Sequence, residues 1–139
     1  MSTHVLFVCT GNTCRSPMAE ALLREAAAAR GLDQVVVSSA GTGAWDGAPV
    51  SEGAYLVGLE NGLDLSHHRA RLLTRELVRG ADLVLVMSGH HLARVAELGG
   101  EDKAHLLGAY AGREAGRTED FRGAVMAFLQ KQQPRFEGH

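Results

Sequence analysis

Three short runs constrain the fold of this chain more than any other feature: Val5-Leu6-Phe7-Val8, Val35-Val36-Val37-Ser38 and Leu83-Val84-Leu85-Val86-Met87. The first and the third are apolar at every position. A strand with one wet face alternates apolar and polar residues, whereas a strand covered on both faces does not. A segment of helical period follows each run. Ser16 can cap the first helix and Pro17 suits its opening position. Met18, Leu22, Ala26 and Ala29 then recur on one face, and Gly31 ends it. Ser51 is placed to cap a helix carrying Ala54, Leu56, Val57 and Leu59 and closing at Gly62. Thr74 is placed to cap a shorter one through Leu77 and Val78. Ser88 heads another with Leu92, Val95 and Leu98 inward. Ala104 to Leu107 reads as a weaker strand, Gly108 to Glu119 as a loop, and Arg122 to Gln132 as a last helix ended by Pro134.

Strands that alternate with helices require crossover connections and so a parallel sheet. The expected architecture is a single domain, 1–139, with a three-layer, doubly wound α/β fold. Its four-stranded parallel sheet has the order 2-1-3-4. Ligands of such folds bind beyond the carboxyl ends of the strands, where the strand order reverses. Here that point is the loop after the first strand.

Composition narrows the partners. Lys and Arg total 14 against 16 Asp and Glu, a net charge of −2, which disfavours nucleic acid. No apolar run approaches the roughly 18 residues of a membrane span, and the N-terminus Met1-Ser2-Thr3-His4 lacks the features of a signal peptide. The two cysteines, Cys9 and Cys14, share one loop, which is not a disulfide framework. These features predict a cytoplasmic protein with neither membrane nor nucleic acid as partner. Adjacent histidines point apart, so His67-His68 and His90-His91 are poor metal pairs. They read as solvated helix ends, with His68 a structural hydrogen-bonder. No metal or cofactor is expected.

The loop itself reads Cys9-Thr10-Gly11-Asn12-Thr13-Cys14-Arg15-Ser16. Successive N–H groups of a tightly wound loop can converge on one anion, and a helix N-terminus adds positive potential. Gly11 and Asn12 suit the left-handed backbone angles that such winding needs. Arg15 offers a planar fork to two phosphate oxygens. The same donors favour the thiolate form of Cys9, to which Ser16 can also donate. The result is a nucleophile facing a tetrahedral oxyanion, with in-line attack on phosphorus, a phosphocysteine and its hydrolysis as the expected chemistry. A nucleotide-binding P-loop would need Gly-Lys before its hydroxyl residue, and the chain contains no Gly-Lys.

Val8 to Glu20, read through Cys9-Thr10-Gly11-Asn12-Thr13-Cys14-Arg15-Ser16-Pro17-Met18-Ala19, resembles the N-terminal signature of the low-molecular-weight protein tyrosine phosphatases. Ser39 to Trp45, Leu65 to Leu72 with His68-Arg69-Ala70-Arg71, and Ala81 to Met87 resemble further blocks of that family. The resemblance implies a metal-free hydrolase acting on phosphorylated protein. It implies Cys9, Arg15 and a late aspartate as the catalytic set, with Thr10, Gly11, Asn12, Thr13, Cys14 and Ser16 holding phosphate or similar oxyanions. The family writes its acid loop Asp-Pro, an aromatic, then glycine. This chain has Thr118-Glu119-Asp120-Phe121-Arg122-Gly123 and no Asp-Pro. Deleting the proline aligns Asp120 with the general acid and Phe121 with the aromatic, with Glu119 as the alternative acid. The other reading of Asp120 is a cap for the last helix, which its position permits.

Trp45 in its glycine-rich loop is expected to wall the pocket against a flat substrate ring, with Phe121 as a second wall. The resemblance implies that Cys14 can capture an oxidised Cys9 as a disulfide; a small core-facing residue is the other reading. Ser38 or Ser39 can hydrogen-bond Asn12, or simply be a polar strand end. Phosphotyrosine is the leading substrate. Thr13 resembles the arginine-phosphatase branch, which makes phosphoarginine the second reading. Arsenate reductases use a related loop but commonly need a further cysteine pair, absent here. A non-enzymatic phosphate-binding module is the last reading.

Overall fold

The computed structural model describes residues 2–111. Four strands, β1 (Thr3–Cys9), β2 (Val35–Gly41), β3 (Leu83–Val86) and β4 (Ala104–Leu106), form one sheet in the order β2-β1-β3-β4. Every pairing is parallel. The helices are α1 (Arg15–Ala29), α2 (Glu52–Glu60), α3 (Arg75–Gly80), α4 (Gly89–Glu97) and α5 (Leu107–Ala111). This is the expected doubly wound sheet.

The uninterrupted apolar run of β1 has a direct cause. Val5 and Phe7 pack on one face with Leu22, Leu23 and Ala26 of α1. Leu6 and Val8 pack on the other with Val78 of α3 and Val95 of α4. Successive side chains of a strand point to opposite faces, and here both faces are dry. β1 is the central strand where the order reverses, flanked by β2 from Thr3↔Val35 to Cys9↔Gly41 and by β3 from Val5↔Leu83 to Val8↔Val86. Its carboxyl end, Cys9, therefore opens at the switch point.

Several local expectations hold. Ser51 Oγ accepts from the Ala54 N–H at 3.2 Å and Thr74 Oγ1 from the Leu77 N–H at 3.2 Å, so both residues cap their helices. Gly31 and Gly62 close α1 and α2 with φ of 69° and 76°.

Others are corrected. α1 begins at Arg15 with Cys14 as its N-cap, because the Ser16 hydroxyl is engaged at Cys9 and Asn12 instead. Leu56, Val57 and Leu59 are 52%, 42% and 48% exposed, while α2 buries Ala54 and Gly58. A Cβ on Gly58 would sit 3.2 Å from Leu65, so the helix approaches its neighbour through its smallest side chains. Residues 107–111, which the glycines suggest are partly loop, are helical. Glu119, Asp120, Phe121 and the expected last helix lie outside the described residues. Among the described residues no helix is long and apolar enough to cross a membrane.

Candidate active site

The loop between β1 and α1 is held by its carbonyl groups. The Cys9 carbonyl accepts from Thr42 N–H at 2.9 Å and the Thr10 carbonyl from Gly43 N–H at 2.9 Å. The Asn12 carbonyl accepts from His68 Nε2 at 2.7 Å, the Thr13 carbonyl from Ser51 N–H at 2.9 Å, and the Cys14 carbonyl from Met18 N–H at 3.2 Å. All of these donors lie outside the loop. A planar trans peptide sets each N–H opposite its C=O, and no peptide here is cis. Each of these peptides therefore directs its N–H, that of Thr10, Gly11, Thr13, Cys14 or Arg15, away from the group that takes its carbonyl.

Asn12 is the hub. It is fully buried and takes φ 56°, the left-handed region. Its Nδ2 donates to Ser16 Oγ and to Ser39 Oγ, each at 2.9 Å, and its Oδ1 accepts from Arg71 N–H at 2.9 Å. Ser39, not Ser38, is thus the serine that steadies the loop; its own proton goes to Glu20 Oε1 at 2.5 Å. His68 is the structural hydrogen-bonder expected of it.

Two groups aim at the Cys9 sulfur. The Asn12 N–H donates to Sγ at 3.2 Å, and Ser16 Oγ lies 2.9 Å from it. Since Asn12 donates into Ser16 Oγ, the serine proton is left to point at the sulfur. A buried cysteine sulfur that accepts two hydrogen bonds at the end of a central strand is a group that can serve as a nucleophile. Arg15 opens α1 directly after the loop.

His91 is not the solvated helix end that its doublet suggests. It is 0% exposed. Its Nδ1 accepts from the Ser88 N–H at 3.1 Å, and its Nε2 lies 2.9 Å from Thr10 Oγ1. Burial, followed by the charges of His90 and Arg15, lowers its pKa from 6.5 to about 4. The spacing Ser88-x-x-His91, with the third helical side chain reaching back to the cap's N–H, is the sequence signal that identifies it. Gly41 also escapes the sequence reading. A Cβ there would stand 2.4 Å from the Thr10 carbonyl and 2.9 Å from the Asn12 nitrogen.

The other expected site residues within the described range are Thr13, Cys14 and Trp45. Thr13 is half-buried within the loop. Cys14 is exposed, which removes the core-facing reading. Trp45 is 84% exposed on the segment after β2. That segment is tied down by Gly47 N–H to the Ala70 carbonyl at 2.8 Å and Leu72 N–H to Asp46 Oδ1 at 2.7 Å. A cavity of about 360 Å³ lies behind the loop, bordered by Ser39, His68 and Arg71, and does not include Cys9. Its three guanidinium groups bond backbone carbonyls: Arg71 to Ser39 at 2.9 Å, Arg24 to Val37 at 2.9 Å and Arg69 to His68 at 2.8 Å.

The family model described as low molecular weight phosphotyrosine protein phosphatase matches residues 4–122. A probable low molecular weight protein-tyrosine-phosphatase, EpsP of Ralstonia solanacearum, is 53% identical over 89 residues, which are 64% of this chain and 58% of the relative's length. A protein-arginine-phosphatase of Bacillus subtilis is 40% identical over 129 residues, 91% of this chain and 85% of the relative. Among solved structures, a YwlE arginine phosphatase, a cysteine-to-serine mutant with a phosphorylated active-site serine, matches with a TM-score of 0.85 at 31% identity. That match covers 96% of this chain and 99% of the other.

Proposed function

Because the chain belongs to the low molecular weight phosphotyrosine protein phosphatase family, we propose that it hydrolyses phosphotyrosine in proteins through a phosphocysteine on Cys9. The observation that carries this reading is the buried Cys9 sulfur, hydrogen-bonded by Asn12 N–H at 3.2 Å and Ser16 Oγ at 2.9 Å at the carboxyl end of the central strand. The N–H groups of residues 10, 11 and 13–15 hold the phosphoryl oxygens, and Arg15 clamps two of them. The sulfur attacks phosphorus in line, the P–O bond to the tyrosyl oxygen breaks, and Asp120 gives that oxygen a proton. Water then cleaves the S–P bond and releases phosphate. Donors placed for the ground-state anion also face the equatorial oxygens of the transition state, where one such donor contributes about 10²–10³ in rate. Trp45 and Phe121 flank the ring. Cys14, on the same loop, takes part in redox control: peroxide converts Cys9 to a sulfenic acid, Cys14 displaces water, and a thiol reductant reverses the disulfide.

A second reading, phosphoarginine as substrate, is favoured by Thr13 and by the arginine phosphatase that matches 91% of the chain. One experiment addresses both. Wild-type protein, Cys9→Ser and Asp120→Asn are assayed with an aryl phosphate, a phosphotyrosine protein and a phosphoarginine protein. Cys9→Ser should lose turnover and keep phosphate binding; Asp120→Asn should lose about 10²–10⁴-fold on poor leaving groups. Residual activity in clean Cys9→Ser protein rejects the phosphocysteine route. A tenfold higher kcat/KM on phosphoarginine reverses the substrate order.

A further inference from the structure

We propose that His91 is a positioning residue for the phosphate loop: held as its Nε2–H tautomer, it donates to Thr10 Oγ1 and leaves the Thr10 hydroxyl proton for an oxyanion in the loop. The inference rests on the same loop being the phosphoryl site.

The tautomer follows from the backbone. An amide N–H can only donate, so at 3.1 Å from Ser88 N–H the Nδ1 of His91 must be the acceptor. A neutral imidazole then carries its proton on Nε2. At 2.9 Å from that nitrogen, Thr10 Oγ1 is the acceptor. The ring is neutral at ordinary pH, because burial and the neighbouring His90 and Arg15 oppose its charge. A hydroxyl that accepts from a fixed donor has its own proton left over. Thr10 adjoins Cys9, and its carbonyl is already pinned by Gly43 N–H at 2.9 Å. The residue beside the sulfur is thus held from the β2 side by Gly43 and from the β3 side by His91, across the point where the strand order reverses. His90 Nε2, exposed and at 3.5 Å, is a second and longer hydrogen-bond partner of the same hydroxyl, which an oxyanion must displace to take the Thr10 proton.

A double-mutant cycle separates this role from a merely structural one. Wild type, His91→Leu, Thr10→Val and the double variant are compared by kcat/KM on an aryl phosphate and by affinity for inorganic phosphate. His91→Leu should cost about tenfold when Thr10 is present, the worth of roughly one hydrogen bond. In the Thr10→Val background it should cost no more than about twofold, since the acceptor is gone. His91→Gln should recover most of the loss, because its amide can accept from Ser88 and donate to Thr10. Equal losses in both backgrounds, or no loss, overturn the proposal. If His91→Leu does not fold, ¹⁵N NMR of the wild-type imidazoles decides: Nε2 protonated and Nδ1 bare at pH 7 supports it, and the reverse overturns it. Absence of turnover in the wild type would reject the phosphatase reading alone, since the phosphate-affinity cycle still reports on His91.

Discussion

At Asn12 the chain bends through φ 56° with no side chain or backbone polar group left over. Two separable demands meet there: a left-handed backbone, and an amide that reaches Ser16, Ser39 and Arg71. Asn12→Gly keeps the first and loses the second; Asn12→Ala loses both. Ala should therefore be less stable than Gly by about 1–2 kcal/mol, the usual left-handed penalty of a residue with a Cβ, read by urea denaturation. Equal stability would mean that the backbone angle carries no strain. His91 makes a different demand. Its pKa of about 4 in the fold lies below the ordinary 6.5, so the unfolded chain takes the proton first. Its stabilising contribution is complete above pH 6.5 and is lost as pH falls towards 4. The urea midpoint should fall between pH 7 and pH 5 in the wild type and fall less in His91→Gln, which keeps a capping-box side chain without a titrating ring. Parallel declines would assign the pH dependence to other groups.

At the scale of elements, the loop is shaped by how closely β2 approaches it. Gly41 pairs with Cys9 at the end of the sheet, and a Cβ there would stand 2.4 Å from the Thr10 carbonyl, which is backbone and cannot swing aside. Gly41→Ala should displace the loop, cost about 1–3 kcal/mol as overpacking does, and weaken inorganic phosphate binding at least tenfold. Gly53 in α2 has no atom within 4 Å of the same added group. Gly53→Ala should be stabilising by about 0.5–1 kcal/mol through helix propensity. Urea denaturation checks both stability changes and calorimetric titration with phosphate the binding; wild-type affinity in Gly41→Ala would show that the loop tolerates the shift. α2 illustrates the converse: of the apolar residues that it carries, Leu56, Val57 and Leu59 stay exposed, while Ala54 and Gly58 are buried, Gly58 close against Leu65. Close approach favoured size over hydrophobicity.

At the scale of the whole molecule, the proposed function sets Thr13 in the loop against Trp45 on the segment after β2 as the residues that would decide substrate choice. A ring between aromatic walls gains about 1–3 kcal/mol from burial and geometry, whereas one hydroxyl hydrogen bond contributes about 1 kcal/mol. Thr13→Ile should raise the ratio of phosphotyrosine to phosphoarginine turnover, and Trp45→Ala should lower it. Unchanged ratios in both variants would place specificity elsewhere in the chain. Trp45 is 84% exposed, so Trp45→Ala removes no core packing and its effect on the ratio is not one of stability.

The strands, their parallel order and the position of the loop were legible because each is written in residues adjacent in the chain. Uninterrupted apolar runs require cover on both faces. Cys9, five residues and Arg15 between a strand and a helix leave few windings. Ser51 and Thr74 cap through bonds three residues long. The tertiary structure alone decided what holds that winding in place. The donors to the loop's carbonyls come from Thr42, Gly43, Ser51 and His68, and the anchors of Asn12 and Thr10 from Ser39, Arg71 and His91, up to 81 positions away. Which distant groups meet depends on which strands are neighbours and in what register. A buried histidine and a solvated one look the same in a sequence until the sheet order sets one of them against the loop.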